Sequence, residues 1–162
     1  MPTADDTSAT GLEAAVRDLI DREAIRDLAS RYVDRVWHKD IDGVVALFAE
    51  DARFDTEEYP PVSGRAALAD VFKIIFDTQD LEPWVHNHVV DLDGDTATGR
   101  CFLDLRMIRD GKRLFATGFY DDTYVRVDGA WRFARRKVTM RSFWPAARRK
   151  SAEPAGDGEG DE

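Results

Sequence analysis

From Leu12 to Val36 the apolar residues fall three or four apart: Leu12, Val16, Leu19 or Ile20, Ala24, Leu28, Tyr32 and Val36. This spacing draws one apolar stripe along a single long amphipathic helix. Thr10, with Glu13 three residues on, has the arrangement of a capping box at its start, and the polar residues 1–9 are expected to be disordered. Asp40 is placed to cap a short second helix, IDGVVALFAE, after which DARFD has strand character. EEYPPVSG is a loop broken by two prolines. A third helix follows in GRAALADVFKIIFDTQD, through Leu68, Val71, Phe72, Ile75 and Phe76.

From Trp84 onward the period changes from 3.6 to 2. Four strands are predicted, over 84–92, 96–109, 113–127 and 130–143, punctuated by Asp93-Gly94, Asp110-Gly111 and Asp128-Gly129. Each Asp-Gly is a hairpin signal, because glycine tolerates the positive φ that tight primed turns require. Helices grouped ahead of consecutive antiparallel strands predict an α+β fold, with a curved sheet wrapped over the helices. The predicted domain covers residues 10–146, and 147–162 is expected to be a disordered charged tail.

Composition supports a single domain: 162 residues, of which 43% are hydrophobic, suffice for one sizeable core. No apolar run approaches the roughly 20 residues of a membrane helix. The acidic N-terminus MPTADDTSATG lacks the basic and apolar regions of a secretory signal, so a cytoplasmic location is expected. The one cysteine, Cys101, sits in an apolar strand pattern and reads as a small buried hydrophobe. A net charge of −9 argues against a nucleic-acid partner, which needs a basic surface. The local run Arg132, Arg135, Arg136, Lys137, Arg141, Arg148, Arg149 and Lys150 reads as a solvated face, followed by a tail with five acids.

Candidate chemistry gathers at a few positions. His86 and His88 share one face of a regular strand with Trp84 and Val90, and Asn87 takes the other. A His-x-His with Asp93 following is also the pattern of a cupin-type metal site, a reading opposed by the long N-terminal helix. Tyr32, on the apolar stripe, carries its hydroxyl inward, where it needs a partner. Tyr120 and Asp122 share a face, and Arg136 is placed to pair across strands with Asp122 or Asp104.

The run EAIRDLASRYVDRVWHKDIDGVVALFAEDARF, then SGRAAL, DGDTATG and YDDTYVRVDGAWRFARR, resembles the SnoaL-like group of the NTF2-like superfamily over roughly residues 12–145. That superfamily includes ketosteroid isomerases, scytalone dehydratase, polyketide cyclases and bile-acid dehydratases. The resemblance implies a cone-shaped α+β fold with a deep apolar pocket, no metal and no cofactor, and a homodimer formed through the outer sheet face. It also implies that Tyr32 polarises a ligand oxygen. Several positions depart from the family pattern. Trp37, followed by His38, stands where the dehydratases carry an Asp that pairs with the catalytic His. The isomerases' general base aligns near Thr56, between Asp55 and Glu57, and their second acid near Thr123, beside Asp122. The usual strand His aligns with Pro83, leaving His86 or His88 to substitute, and Leu105 occupies the position of the bile-acid dehydratase Asp, next to Asp104.

The resulting expectation is a lyase or isomerase of dehydratase, cyclase or isomerase type, moving a proton on a hydrophobic polycyclic or polyketide-like substrate. In it Tyr32 is the oxygen-binding acid and His86 or His88 the base. Trp37, Asp55, Trp84, Asp104, Tyr120 and Asp122 are the expected substrate contacts. The alternative is a non-catalytic ligand-binding or structural module of the same fold.

Overall fold

The computed structural model describes residues 4–145. A 34-residue helix, α1 (Ala4–Trp37), leads into α2 (Ile41–Ala46), strand β1 (Phe48–Asp55), a two-residue strand β2 (Val62–Ser63) and α3 (Arg65–Thr78). The long strands β3 (Gln79–Asp93), β4 (Thr96–Arg109), β5 (Lys112–Val127) and β6 (Ala130–Pro145) follow. All six strands form one curved, unclosed sheet in the order β2-β1-β6-β5-β4-β3, with β1 parallel to β6 and every other pair antiparallel. This is the predicted α+β architecture. No helix among the described residues is long and apolar enough to cross a membrane.

The predicted hairpins form where expected. Asp110 and Gly111, and Asp128 and Gly129, all have positive φ, as a type I′ turn requires at both central residues. Asp40 caps α2 by accepting the Gly43 N–H at 2.9 Å. Several boundaries differ from expectation, among them the end of α2, which stops at Ala46 so that Phe48, Ala49 and Glu50, expected in the helix, begin β1. Helix α1 begins at Ala4, so part of the stretch expected to be disordered is helical, and Thr10 and Glu13 lie inside the helix instead of at its start. Strand β3 begins at Gln79, directly after α3, because Gln79 already pairs with Arg109 in the ladder. The predicted charged tail lies outside the described residues.

The apolar stripe of α1 is only half used. Ile25, Leu28, Ala29, Tyr32 and Val36 are buried against the sheet, whereas Leu12, Leu19 and Ile20 are each more than 60% exposed. A 34-residue helix is about 51 Å long at 1.5 Å per residue, and its first turns run past the core it crosses.

Besides a register shift between Phe48 and Arg53 where β1 pairs with β6, the sheet has three irregularities that decide which side chains enter the core. In β3 the register shifts between Val85 and His88. In β6 it shifts opposite Thr123 and Tyr124, and again opposite Thr117 and Gly118. Each irregularity changes strand parity. The inward residues of β6 are Trp131 and Phe133 before the first shift, and Arg136, Val138 and Met140 after it.

Gly118 sits beside the last of these shifts. A Cβ there would overlap the Thr139 carbonyl oxygen and lie 3.1 Å from Met140 Cα, both of them backbone atoms that cannot swing aside. Gly118→Ala is therefore expected to destabilise the fold by about 1–3 kcal/mol through overpacking, read as a lower denaturant midpoint with unchanged slope. An unchanged midpoint would mean that the β5–β6 ladder yields at this point.

Candidate functional site

Three elements converge on one buried charge. The helical spacing of α1 brings Tyr32 inward beneath Leu28, alternation along β5 presents Tyr120, Asp122 and Tyr124 on the core face, and the shift in β6 turns Arg136 to the same side. Arg136 is completely buried. Its Nε donates to Asp122 Oδ1 at 2.9 Å and its Nη2 to Oδ2 at 2.7 Å, a two-pronged pairing that fixes the guanidinium plane. The guanidinium carbon lies 4.1 Å from the ring centroid of Tyr32 and 4.0 Å from those of Tyr120 and Phe133, within cation–π range of all three. Burial works against the charged form of Arg136, and Asp122 more than offsets it, so the guanidinium is held protonated more firmly than usual. Its Nη1 is buried and finds no acceptor among the described residues.

A hydrogen-bonded chain continues outward from Asp122. The Tyr124 hydroxyl donates to Asp122 Oδ2 at 2.9 Å, and His88 Nε2 lies 3.0 Å from the Tyr124 oxygen. A phenol has one hydrogen to give, and Tyr124 spends it on the carboxylate, so His88 Nε2 is the donor to Tyr124. Burial lowers the His88 pKa from 6.5, with Asp122 opposing and Arg136 and Arg26 reinforcing the shift.

Beside the cation lies a cavity of about 340 Å³. Its walls are apolar: Leu81 and Pro83 of β3, Leu103, Leu105 and Met107 of β4, Phe72 and Ile75 of α3, and Val138, Met140 and Phe143 of β6. Tyr32 and Tyr120 bring two phenols into the lining. Burial pushes the Tyr32 pKa up to about 12, with Arg136 pulling the other way, and raises that of Tyr120 well above its ordinary value. Both are neutral donors at physiological pH. A second polar group stands elsewhere in the lining, where Arg109 Nη2 donates to Glu58 Oε2 at 2.7 Å and to Gln79 Oε1 at 2.8 Å, and Gln79 Nε2 donates to the Tyr59 hydroxyl at 3.1 Å. Thr56 and Glu57 also line the cavity.

The residues expected from sequence divide into two groups. Tyr32 and Tyr120 face the cavity, Asp122 holds the cation behind them, and His88 joins Asp122 through Tyr124 without lining the cavity. The others point elsewhere. The shift in β3 separates the two histidines: Trp84 and His86 face outward, whereas His88 turns inward with Val90. His86 pairs on the outer face with Asp104 at 3.1 Å, so neither is a pocket residue, and His86 and His88 cannot converge on one metal ion. Among the described residues no cluster of three His, Cys, Asp or Glu side chains is arranged to hold a metal.

Trp37 and Trp84 pack edge to face at 5.5 Å outside the cavity, and the Trp37 indole donates to the Pro83 carbonyl at 2.7 Å, which ties the end of α1 to β3. Asp55 is enclosed by Arg53 and Arg135 at 2.7 and 2.6 Å, and these cations hold its pKa below the usual range although burial alone would raise it. Its role is to join β1 to β6. Sequence reasoning missed the polar group around Arg109, Gln79 and Tyr59. Arg109 had a usable signal, since it shares strand parity with Leu103, Leu105 and Met107, but Gln79 was hidden by being placed in the third helix.

A curved sheet closed by helices over an apolar cavity with few polar groups defines an NTF2-like, cystatin-like small-molecule-binding fold. The chain belongs to the SnoaL-like family, whose domain matches residues 17–137. An NTF2-like protein with a cystatin-like fold from Novosphingobium aromaticivorans is 27% identical, with 80% of this chain and 87% of that chain covered at a TM-score of 0.67. A hexachlorocyclohexane dehydrochlorinase (LinA type 2) is 20% identical, with 86% and 98% covered at 0.78. A scytalone dehydratase-like protein from Novosphingobium aromaticivorans is 23% identical, with 88% and 97% covered at 0.73. Among curated proteins, none matches the chain.

The lowered His88 pKa has a consequence for stability. A histidine with a depressed folded pKa binds fewer protons folded than unfolded, so its contribution is fully present above about pH 6.5 and declines as pH falls below that value. His88→Gln keeps a donor to Tyr124 and removes the titration. The drop in Tm between about pH 7 and about pH 5.5 is expected to be smaller in this variant than in the wild type. Parallel pH profiles would place the imidazole in solvent.

Proposed function

We propose that the chain is a lyase or isomerase that moves a proton on a small apolar substrate, using its own side chains. The observation that carries this reading is the pair of neutral phenols, Tyr32 and Tyr120, lining an apolar cavity with the Arg136 cation stacked on both rings. A carbonyl oxygen docked on the phenols gains negative charge when the adjacent carbon loses a proton, and preformed donors in a dry site stabilise that charge. Among the described residues no imidazole lines the cavity, so the base is drawn from its carboxylates. Glu58 is tied to Arg109, which leaves Glu57, beside the position where the isomerases' base aligns. Glu57 takes the proton, the electron pair moves to the carbonyl oxygen, and the resulting enolate either regains the proton at another carbon or expels a β-substituent. The dehydrochlorinase and dehydratase names among the structural neighbours support this direction. A cytoplasmic location and a homodimer are part of the same reading, the homodimer supported by exposed Phe102, Ile108 and Val89 on the outer sheet face.

A second reading, a binding module without catalysis, is favoured by one observation: both histidines stand outside the lining. Hydrogen–deuterium exchange separates the two. With 2-tetralone in D₂O followed by proton NMR, the wild type is expected to accelerate loss of the α-protons. Tyr32→Phe should slow the exchange by roughly 10²-fold and Glu57→Gln by roughly 10²–10⁴-fold. Saturable binding of 2-tetralone with no acceleration would make the module reading the correct one.

A further inference from the structure

The apolar stripe of α1 rotates as it runs along the helix. Its four-residue steps overshoot a full turn, so each step carries the stripe round by about 40°. Leu19 and Leu28, nine residues apart, therefore project to opposite sides of the helix, and Val16 points roughly 160° away from Tyr32. Leu28 and Tyr32 are buried against the sheet, so Leu12, Val16, Leu19 and Ile20 face away from it. Leu12, Leu19 and Ile20 are each more than 60% exposed, and Val16 is 45% exposed. Beyond Ile20 the outward face is charged, with Glu23, Arg26, Asp27 and Asp34 all exposed. The result is a bounded apolar patch about 12 Å long, at 1.5 Å per residue, and a contiguous patch with a charged rim marks an interaction surface.

The rim identifies the occupant. Glu13 and Arg17 are both exposed and lie one turn apart on the edge of the patch beside Ile20. When two copies of α1 pair antiparallel about a two-fold axis near residue 15, Leu12 packs on Leu19 of the other copy. The same axis sets Glu13 of each copy across from Arg17 of the other, so the charge match occurs twice. On the opposite edge Gly11 and Ala15 are small, and a side chain at Gly11 would meet nothing within 4 Å, which leaves room for close approach. Because the patch faces away from the sheet, each domain lies on the far side of its own helix and the two do not collide.

We propose that this stretch of α1 is an isologous interface that takes a second copy of the chain in antiparallel pairing. It is a different surface from the outer face of the sheet, and it is independent of what the cavity does. A chain that uses both surfaces closes into a tetramer.

Sedimentation equilibrium of the full chain, run over a range of concentrations, tests this. Four large side chains per copy make a small contact, so the association is concentration-dependent. Leu19→Glu puts a charge into the patch and is expected to halve the limiting mass, whether the unit left behind is a monomer or a dimer through the sheet. Glu13→Arg sets arginine against arginine, and Arg17→Glu sets glutamate against glutamate. Each is expected to weaken association about tenfold, and the double variant is expected to restore it. All three positions are exposed, and an unchanged Tm reports that the variants are folded. The same limiting mass in the wild type and in Leu19→Glu would overturn the interface. Single charge variants without effect, or a double variant that fails to recover, would overturn the antiparallel pairing that defines it. Either result leaves the proposed function standing.

Discussion

A guanidinium with no access to solvent, paired with one carboxylate, is the constraint around which this protein is organised. Removing both ions from water costs several kcal/mol each, and their attraction repays that only when the geometry is good and the remaining faces are filled. Here Asp122 takes two of the hydrogen bonds and three aromatic rings cover the planar faces of Arg136. Those rings come from α1, β5 and β6, so meeting the needs of one cation also fixes the approach of the helix to the sheet. A mispacked helix would expose the charge to an apolar neighbour, and breaking a buried pair of this kind typically costs about 3–5 kcal/mol. The ion pair thus contributes to uniqueness of packing at least as much as to net stability.

The same cation sets the electrostatics of the cavity. Tyr32 and Tyr120 have one side on Arg136 and another on empty apolar space. Burial makes their phenolates expensive, while the cation makes negative charge at their hydroxyls less so. The outcome is a pair of neutral donors that tolerate a developing oxyanion, the property an enolising site needs. Tyr124 and His88 lie on the other side of Asp122, where they complete its hydrogen bonding and hold the carboxylate in place. His88 is in this sense a support of the ion pair.

Most of the fold was legible in the sequence because it rests on local rules. Three Asp-Gly dipeptides announced the hairpins, Asp40 announced α2, and the three-and-four spacing announced α1 and the inward path of Tyr32. What escaped was set by long-range geometry. Strict alternation put His86 and His88 on one face, and a single extra residue in β3 separated them. Trp37 and Trp84 had the composition of pocket residues but found each other instead. Asp55, one position from the site, was claimed by Arg53 and Arg135. Nothing in the local pattern of any of these residues reports the register shift or the partner that decided its role.

The irregularities that defeated simple alternation are also what give the sheet a site. A regular β6 that buries Phe133 would bury Arg135 and point Arg136 outward; the shift after Phe133 places Arg136 against Asp122. The second shift, beside Gly118, lets Phe143 reach the cavity after Met140 has already faced it. Each extra residue also bends its strand and strengthens its twist, which suits a sheet that must curve around a cavity. Curvature and the buried cation thus share an origin in departures from strand periodicity, and the regular stretches of β4 and β5 supply the wall along which the lining residues are spaced.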